Sequence, residues 1–417
     1  MKGFAGTGAH RLWLLLATCL PAQAAELAER LDTTLTLRTD AWSGSRQLDD
    51  TGGIVQTAAW GRLALDLGEG GGIVASGWRG DRSGAHVAGP RGRVRELYWR
   101  DNLGPLELKL GRQLVVWGRA DGVNPTDNLS PRDFTQLAPD DGDQRYGNEV
   151  AQLRLNTGIG SVSALWFPHA ASHTLPLPAQ PNLRYTVQAP RASQWGIKWE
   201  TVAEGVDGSI SYFHGIDPMP DLALSGVDES GASIAVRNHP ARVLGADISF
   251  TRGAIVWRAE AAAMQTGSGG SADFMHKKPQ LWLVAGGEYG LDNGTTVGLQ
   301  ATILQVKNFL TPDSIADPLA RAIAWRQAAT SNQTSTSQKG ITWHLARRWW
   351  NDTLMAETSG MLVWPSGSGI WRTKIDYAID DRWHMQAGSD HYFGPKNSFF
   401  GQLGKNRLMY VQLRYGW

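Results

Sequence analysis

The residues best suited to chemistry in this sequence are charged side chains that form two groups. An acidic stretch around 118–148 contains Asp121, Asp127, Arg132, Asp133, Asp140, Asp141, Asp143 and Arg145. Basic residues occupy polar positions in segments of alternating polarity: Arg38, Arg62, Lys109, Arg154, Lys198, Arg258, Arg372, Lys374 and Arg414. Opposed acidic and basic surfaces of this kind orient dipolar molecules and filter ions by charge. They need neither a cofactor nor a metal ion, and we predict neither.

Two further pairs of residues have the types found in reactive sites. His169 and His173 have the spacing of a metal-binding helix, but Pro168 and the small residues between them favour a loop, and no third ligand can be named. Ser389 and His391 share one face of a predicted strand, but no third group that would orient them for hydrolysis can be named. We therefore predict no catalytic residue and no metal ligand.

The elements that must position the charged groups are strands, because polarity alternates with a period of two. The last segment has apolar or aromatic residues at every second position, Met409, Val411, Leu413, Tyr415 and Trp417. Segments of about ten residues with this alternation recur, and short turns alternate with long polar connections. The pattern predicts an all-β fold, a transmembrane antiparallel β-barrel of about 18 strands (about 16–20), over residues 25–417.

Composition supports this fold and excludes other classes. The 40 basic and 39 acidic residues nearly cancel, so no nucleic-acid partner is expected. After the N-terminus, no run approaches the roughly 18 apolar residues of a membrane-spanning helix. A soluble β-sandwich would have loops of similar length at both ends, and a propeller would repeat every 40–50 residues or so; the sequence has neither feature.

Residues 1–24 have the features of a cleaved signal peptide. A basic start with Lys2 precedes an apolar run at 12–20, and Ala-Gln-Ala at 22–24 fits the cleavage pattern. The only cysteine, Cys19, lies in that run, and the threonine before it disfavours a lipoprotein. The chain is therefore predicted to be exported and to reach the bacterial outer membrane.

One hairpin and the segment after it resemble a known family. Gly111-Arg112-Gln113 is followed by Trp117-Gly118 and then by Asn-Pro-Thr-Asp at 124–127. Over residues 94–150 the chain resembles porin-like outer-membrane barrels related to the alginate-export family. The resemblance implies a channel of a kind often assigned to exopolysaccharide export or to uptake of small molecules.

The third long connection, around 118–148, has the composition of a loop inside a barrel. Ser130-Pro131 followed by Asp133 is typical of a helix start, so we predict a short helix that ends by Pro139. In general porins the third long loop folds inward and narrows the lumen, and we expect the same here. Its carboxylates would then face the basic residues of the wall. They either produce a transverse field or pair with those bases.

Aromatic residues near predicted strand ends have two interpretations. Girdles at the membrane interfaces are the ordinary one, and stacking platforms for sugar rings inside the lumen are the alternative. The residues concerned include Trp60, Trp99, Trp117, Trp166, Trp257, Trp343, Trp349 and Trp383.

The leading functional expectation is a porin-like channel, without enzyme activity, for small polar or charged solutes or saccharide. The alternatives are an exopolysaccharide export conduit that works with periplasmic partners, and an outer-membrane lipid hydrolase. The expected partners are outer-membrane lipid and the barrel-assembly machinery, which would bind the last strand ending at Trp417.

Overall fold

The computed structural model describes residues 29–84, 89–178, 180–203, 205–267 and 273–417. The predicted signal peptide, residues 1–24, lies outside this part of the chain. The described residues form these strands: β1 (Leu31–Trp42), β2 (Ile54–Gly68), β3 (Gly71–Ser83), β4 (Gly89–Leu103), β5 (Leu106–Gln113), β6 (Asn148–Thr157), β7 (Gly160–Phe167), β8 (Leu183–Gln188), β9 (Gln194–Ala203), β10 (Val206–Ile216), β11 (Asp221–Asp228), β12 (Gly231–Arg237), β13 (Pro240–Arg252), β14 (Ile255–Thr266), β15 (Gln280–Gly290), β16 (Thr295–Val306), β17 (Ser337–Trp349), β18 (Leu354–Trp364), β19 (Ser368–Ala378), β20 (Trp383–Phe393) and β21 (Leu408–Gly416).

All of these strands except β8, β11 and β12 form one closed antiparallel sheet. Each pairs with its neighbour in this set, and β1 pairs with both β2 and β21. At the seam, the Trp417 backbone N–H donates to the Leu35 carbonyl oxygen at 2.9 Å. The sheet has 18 strands, so the predicted fold class and strand number are confirmed. Closure leaves no open strand edge, which a bilayer would not tolerate.

The two faces of the sheet have reversed polarity compared with a soluble protein. In β1, Leu35 and Leu37 lie exposed on the outside, while Asp40 on the other face is only 2 % exposed. The outer faces of the other barrel strands repeat this pattern, with exposed Leu153, Ile197, Leu244, Leu299, Leu345, Ile375 and Val411. Such a surface is stable when hydrocarbon covers it, so the alternation defines a transmembrane barrel.

The connections differ in length at the two ends of the barrel. One end has turns of a few residues, such as 104–105, 158–159 and 253–254. The other end has longer connections: 43–53, 84–88, 114–147, 168–193, 217–239, 267–279, 307–336 and 394–407. Residues 365–367 also connect strands at this second end but form only a tight turn.

A small sheet built from the long connections was not predicted from the sequence. Strands β11 and β12 form an antiparallel hairpin, and β8 pairs with β12 in parallel. The α-helix Pro318–Thr330 packs on this sheet through Ile323, which contacts a buried cluster that includes Leu222 and Val236. Among the described residues, no helix is long and apolar enough to cross a membrane.

The helix predicted between Ser130 and Pro139 is wrong. The Ser130 hydroxyl accepts the Val115 N–H at 2.8 Å and donates to the Val115 carbonyl at 2.9 Å, so it does not cap a helix. The Asp133 carboxylate instead accepts the Thr135 N–H in a local turn. The only helical turn of this connection is a 3-10 helix at Asp141–Gln144.

Candidate functional site

Residues 114–147, called here the crossing segment, bond to strands on opposite sides of the barrel. The segment connects β5 to β6, yet its side chains and backbone reach β1, β4, β9, β13, β14, β16 and β19. Because the sheet is closed, a segment with these contacts has to run through its interior. The wall residues that it contacts are the polar, inward members of the alternating strands.

A turn near the start of the crossing segment is built around the buried carboxylate of Glu260 on β14. One carboxylate oxygen accepts the Thr126 N–H at 2.6 Å and its hydroxyl at 2.9 Å. The other oxygen accepts the backbone N–H groups of Arg119 and Ala120 at 3.1 and 3.2 Å. We call this set of bonds the Glu260 attachment.

The Trp-Gly and Asn-Pro-Thr-Asp elements in the sequence form this turn. Gly118 has φ +90°, and a Cβ there would lie 2.0–2.6 Å from Asn124, Glu260 and Thr126 side-chain atoms. Only glycine fits both constraints. The motif that carries the family resemblance therefore has a physical role, which is to let backbone N–H groups converge on Glu260.

Ion pairs reinforce this end of the segment. The Arg119 guanidinium lies 2.6 Å from Asp247 and 2.8 Å from Glu200. The Asp121 carboxylate lies 2.5 Å from the Arg258 guanidinium. The predicted wall base Arg258 and the predicted loop acid Asp121 are thus direct partners.

The acidic end of the crossing segment pairs with a different part of the wall. Asp140 lies 3.2 Å from Lys374, Asp141 lies 2.5 Å from Arg372, and Asp143 lies 2.5 Å from Arg38. These three pairs form what we call the acidic attachment, to which Arg95 adds a longer contact with Asp143 at 3.6 Å. Desolvation by the surrounding barrel wall would by itself raise the pKa of Asp141, but the Arg372 guanidinium outweighs it and lowers that pKa to about 2.

The remaining residues of the predicted acidic loop form ion pairs within the loop and with β4. Asp127 pairs with Arg145 and, at 3.2 Å, with Arg132. Asp133 lies 3.7 Å from Arg93 of β4. The acidic and basic groups that the sequence placed opposite each other are therefore largely paired, which favours the second of the two electrostatic alternatives.

The remaining predicted wall bases divide into paired and unpaired residues. Arg62 pairs with Asp32, and both Arg154 and Lys198 contact Glu200. Lys109 and Arg414 form no ion pair within the described residues. Both lie close to the short-turn end of their strands, at Leu106–Gln113 and Leu408–Gly416.

Two of the tryptophans considered for interfacial girdles lie elsewhere. Trp60 is buried and stacks on Trp78 at 5.5 Å, and the Arg38 guanidinium lies 4.3 Å from its ring centroid. Trp117 is buried in a cluster that includes Phe213. The girdle interpretation is wrong for these two residues. The Trp60 ring lies inside the barrel, but Arg38 covers its face.

The two other groups considered as reactive sites are engaged in local contacts. The Ser389 hydroxyl hydrogen-bonds the Thr373 hydroxyl at 2.9 Å, and the His391 ring stacks on Phe393. The His173 Nδ1 atom accepts the backbone N–H of Arg132 at 2.9 Å. Burial lowers the pKa of His173 to about 3, so the ring is neutral and can accept this bond.

Sequence reasoning missed the residues that hold the segment most closely. In the sequence, Glu260 and Asp247 look like any other polar residues of β14 and β13. No neighbouring residue indicates that such a carboxylate binds a segment far away in the chain. Arg46 of the 43–53 connection was also missed. It donates to the Ala138 carbonyl at 3.0 Å and pairs with Asp390 at 2.5 Å. The one available signal was the Trp-Gly motif, whose partner cannot be inferred from spacing.

The fold and these contacts define a transmembrane β-barrel with a segment that runs across its interior. No protein-family model and no curated protein matches this sequence. Solved structures do match. OccAB2 of Acinetobacter baumannii has a TM-score of 0.58 at 9 % identity, covering 93 % of this chain and 98 % of that one. The outer membrane protein opdK of Pseudomonas aeruginosa has a TM-score of 0.56 at 12 % identity, covering 93 % and 99 %.

A third similar structure is OccD3 (OpdP) of Pseudomonas aeruginosa, with a TM-score of 0.52 at 12 % identity, covering 93 % of this chain and 90 % of that one. These structures span nearly the whole barrel, so the likeness concerns the complete fold. At these identities the likeness is one of fold alone.

Proposed function

We propose that this protein is an outer-membrane channel for small polar or charged solutes, including saccharides. The observation that carries the proposal is the crossing segment, which bonds to inward-facing side chains on opposite sides of a closed barrel. A polar segment held across a polar interior narrows the lumen for solutes, and it does not fill the lumen with a packed apolar core. The resemblance of residues 94–150 to alginate-export relatives supports saccharide among the candidate solutes.

The charge selectivity of this channel depends on which groups remain unpaired. The acids at 140, 141 and 143 are neutralised by their wall partners, so they contribute less to the field than free carboxylates would. Lys109 and Arg414 have no such partner among the described residues. We propose that these two bases attract anionic solutes at the short-turn end of the lumen.

The proposed location is the bacterial outer membrane, with assembly directed by the last strand. The apolar outer face and the bonds between Trp417 and Leu35 support this proposal. Replacing Trp417 by Asp is expected to reduce the level of heat-modifiable barrel in outer-membrane fractions. Unchanged assembly would count against recognition of the C-terminus by the assembly machinery.

The channel proposal is tested by conductance in planar bilayers. The purified protein is expected to open channels, and removal of residues 127–143 should raise conductance because the narrowing element is lost. A matched control removes residues 225–230 at the tip of the β11–β12 hairpin, which leaves the crossing segment intact and should change conductance little.

Two outcomes would overturn the proposal. If neither the unmodified protein nor the 127–143 deletion conducts, a passive channel is wrong, and an export conduit that needs periplasmic partners or a lipid-acting enzyme becomes the better hypothesis. If both deletions raise conductance equally, the crossing segment is not the restriction.

A further inference from the structure

A cluster of two histidines and a carboxylate lies at the join between the small sheet and the barrel. Asp221 is the first residue of β11, His239 directly precedes β13, and His276 lies in the connection before β15. Their candidate ligand atoms lie within 4.8 Å of one another. The Asp221 Oδ2 atom is 2.9 Å from Nδ1 of each histidine.

The hydrogen bonds around these rings leave lone pairs without a donor. His276 Nε2 lies 2.8 Å from the Gly267 carbonyl oxygen, which can only accept, so Nε2 carries the proton. In a neutral ring, Nδ1 then presents a lone pair towards Asp221. His239 is buried at 4 % exposure. Its Nδ1 and Nε2 atoms face the carboxylates of Asp221 at 2.9 Å and Asp217 at 3.5 Å, but neither contact has the geometry of a hydrogen bond. A buried unsatisfied group of this kind is costly and is often explained by an unseen ion.

The Asp221 carboxylate is arranged to offer one oxygen to such an ion. Its Oδ1 atom accepts the Gln327 side-chain N–H at 2.5 Å and the Lys277 backbone N–H at 3.2 Å. These donors fix the carboxylate and leave Oδ2 facing the histidines. Outer bonds that orient the ligands in this way, including the one from His276 to Gly267, are typical of metal sites.

We propose that Asp221, His239 and His276 bind a divalent transition-metal ion of the Zn²⁺ type. Ligand atoms that each lie about 2.0–2.1 Å from one Zn²⁺ ion stand about 3.3 Å apart in a tetrahedral site. Binding therefore requires small shifts, because Asp221 lies 2.9 Å from each ring and the whole set lies within 4.8 Å. Imidazole and carboxylate together suit Zn²⁺ better than Ca²⁺ or Mg²⁺, which take oxygen ligands.

The surroundings accommodate the added charge. The Lys277 ammonium group lies 2.6 Å from Asp217, so its charge is paired. His276 also lines a cavity of about 580 Å³ with Thr266 and Lys278, so a water molecule or a solute can complete the coordination. The ion would tie the small sheet to the barrel rim, because its ligands come from two separate connections, 217–239 and 267–279.

Zinc titration tests the proposal. Mature protein purified without a histidine tag, stripped with a chelator and titrated with ZnCl₂ by calorimetry, is expected to bind one ion per chain. Co²⁺ in its place should give visible absorption bands of a nitrogen-ligated site. His276→Gln should weaken Zn²⁺ binding by more than about tenfold. His169→Gln, which alters a histidine outside the cluster, should not.

The fold of each variant is checked by heat-modifiable mobility. If His276→Gln does not assemble, Asp221→Asn takes its place with the same expected loss. Absence of saturable binding by the unmodified protein overturns the proposal, as does equal binding by the cluster variant and the His169 control. In that case hydrogen bonds, and no metal ion, hold the histidines in place. This test is independent of conductance, so the site and the channel proposal can fail separately.

Discussion

The two ends of the crossing segment are attached to the barrel by different chemistry. At the Glu260 attachment, a carboxylate with 3 % exposure accepts three backbone N–H groups and one hydroxyl. At the acidic attachment, the bonds join flexible side chains, and the Asp140 and Asp141 side chains are 52 % and 41 % exposed. The first end is fixed by one buried carboxylate that binds its backbone. The second end is held by ion pairs together with bonds from Arg46 and Arg95 to its backbone carbonyls.

This difference predicts unequal strength. A hydrogen bond to a charged group contributes about 1.5–3 kcal/mol, and more is lost when buried partners are left unpaired. A solvent-exposed ion pair contributes about 0–1 kcal/mol and is screened by salt. The Glu260 attachment should therefore persist under conditions in which the ion pairs of the acidic attachment are broken.

The largest effect is expected from Glu260→Ala. The change leaves three backbone N–H groups without their acceptor and should destabilise the attached segment by about 3 kcal/mol or more. Because the mature chain is predicted to lack cysteine, Leu129→Cys can serve as a reporter at a position that is 1 % exposed. Its thiol should be labelled much faster in the Glu260→Ala background.

The matched control for this experiment is Glu107→Ala. Glu107 is also a wall carboxylate, but it accepts a bond from Asn156 and does not contact the crossing segment. Labelling of the Leu129→Cys reporter should be unchanged in that background. Equal acceleration by both changes would mean that Glu260 has no special role.

A smaller effect is expected when the acidic attachment is neutralised. Changing Asp140, Asp141 and Asp143 to Asn removes three negative charges, and it leaves Arg372 and Lys374 each with one wall partner, Asp390 and Glu357. A unit charge about 4 Å from a permeating ion contributes about 1 kcal/mol in water, so permeability should shift towards anions by up to about fivefold. Reversal potentials under a salt gradient measure this shift.

Salt provides an internal check on that result. The shift should be larger at low ionic strength than at about 1 M salt, where charges are screened within about 3 Å. Asp228→Asn, which removes a carboxylate paired with Arg184 on the small sheet, is the control and should leave selectivity unchanged. An equal shift in ion permeability in the Asp228→Asn control would mean that the acidic attachment does not determine the selectivity.

The barrel and the inward course of its third long connection were predictable from the sequence, whereas the individual bonds of the interior were not. Each strand carries its own two-residue alternation, so strand identity and the number of 18 follow from local pattern. The one helix prediction, after Ser130, shows the limit of such local rules. Asp317-Pro318 and Ser130-Pro131 offer similar start signals, but only the first precedes an alanine-rich run and forms a helix.

The contacts of the interior depend on residues far apart in the chain. The parallel pairing of β8 with β12 and the bonds between Glu260 and residues 119–126 arise from closure of the barrel, which no spacing rule describes. The sequence did identify the charged residues of the two surfaces. The sequence could not decide whether these charges produce a transverse field or pair with one another, because the answer depends on distances of a few ångströms between their side chains.

The smallest expected effect is the pH dependence of the pair between Asp141 and Arg372. Arg372 lowers the pKa of Asp141 from an ordinary 3.8 to about 2 in the folded protein, so this pair contributes fully above about pH 4. Its contribution is lost as pH falls through about 2, because protonation removes the negative charge. Conductance should therefore rise between pH 4 and pH 2 as this end of the segment loosens. Asp141→Asn should remove the part of the rise that Asp141 causes, and an identical pH profile in that variant would show that another group controls the release.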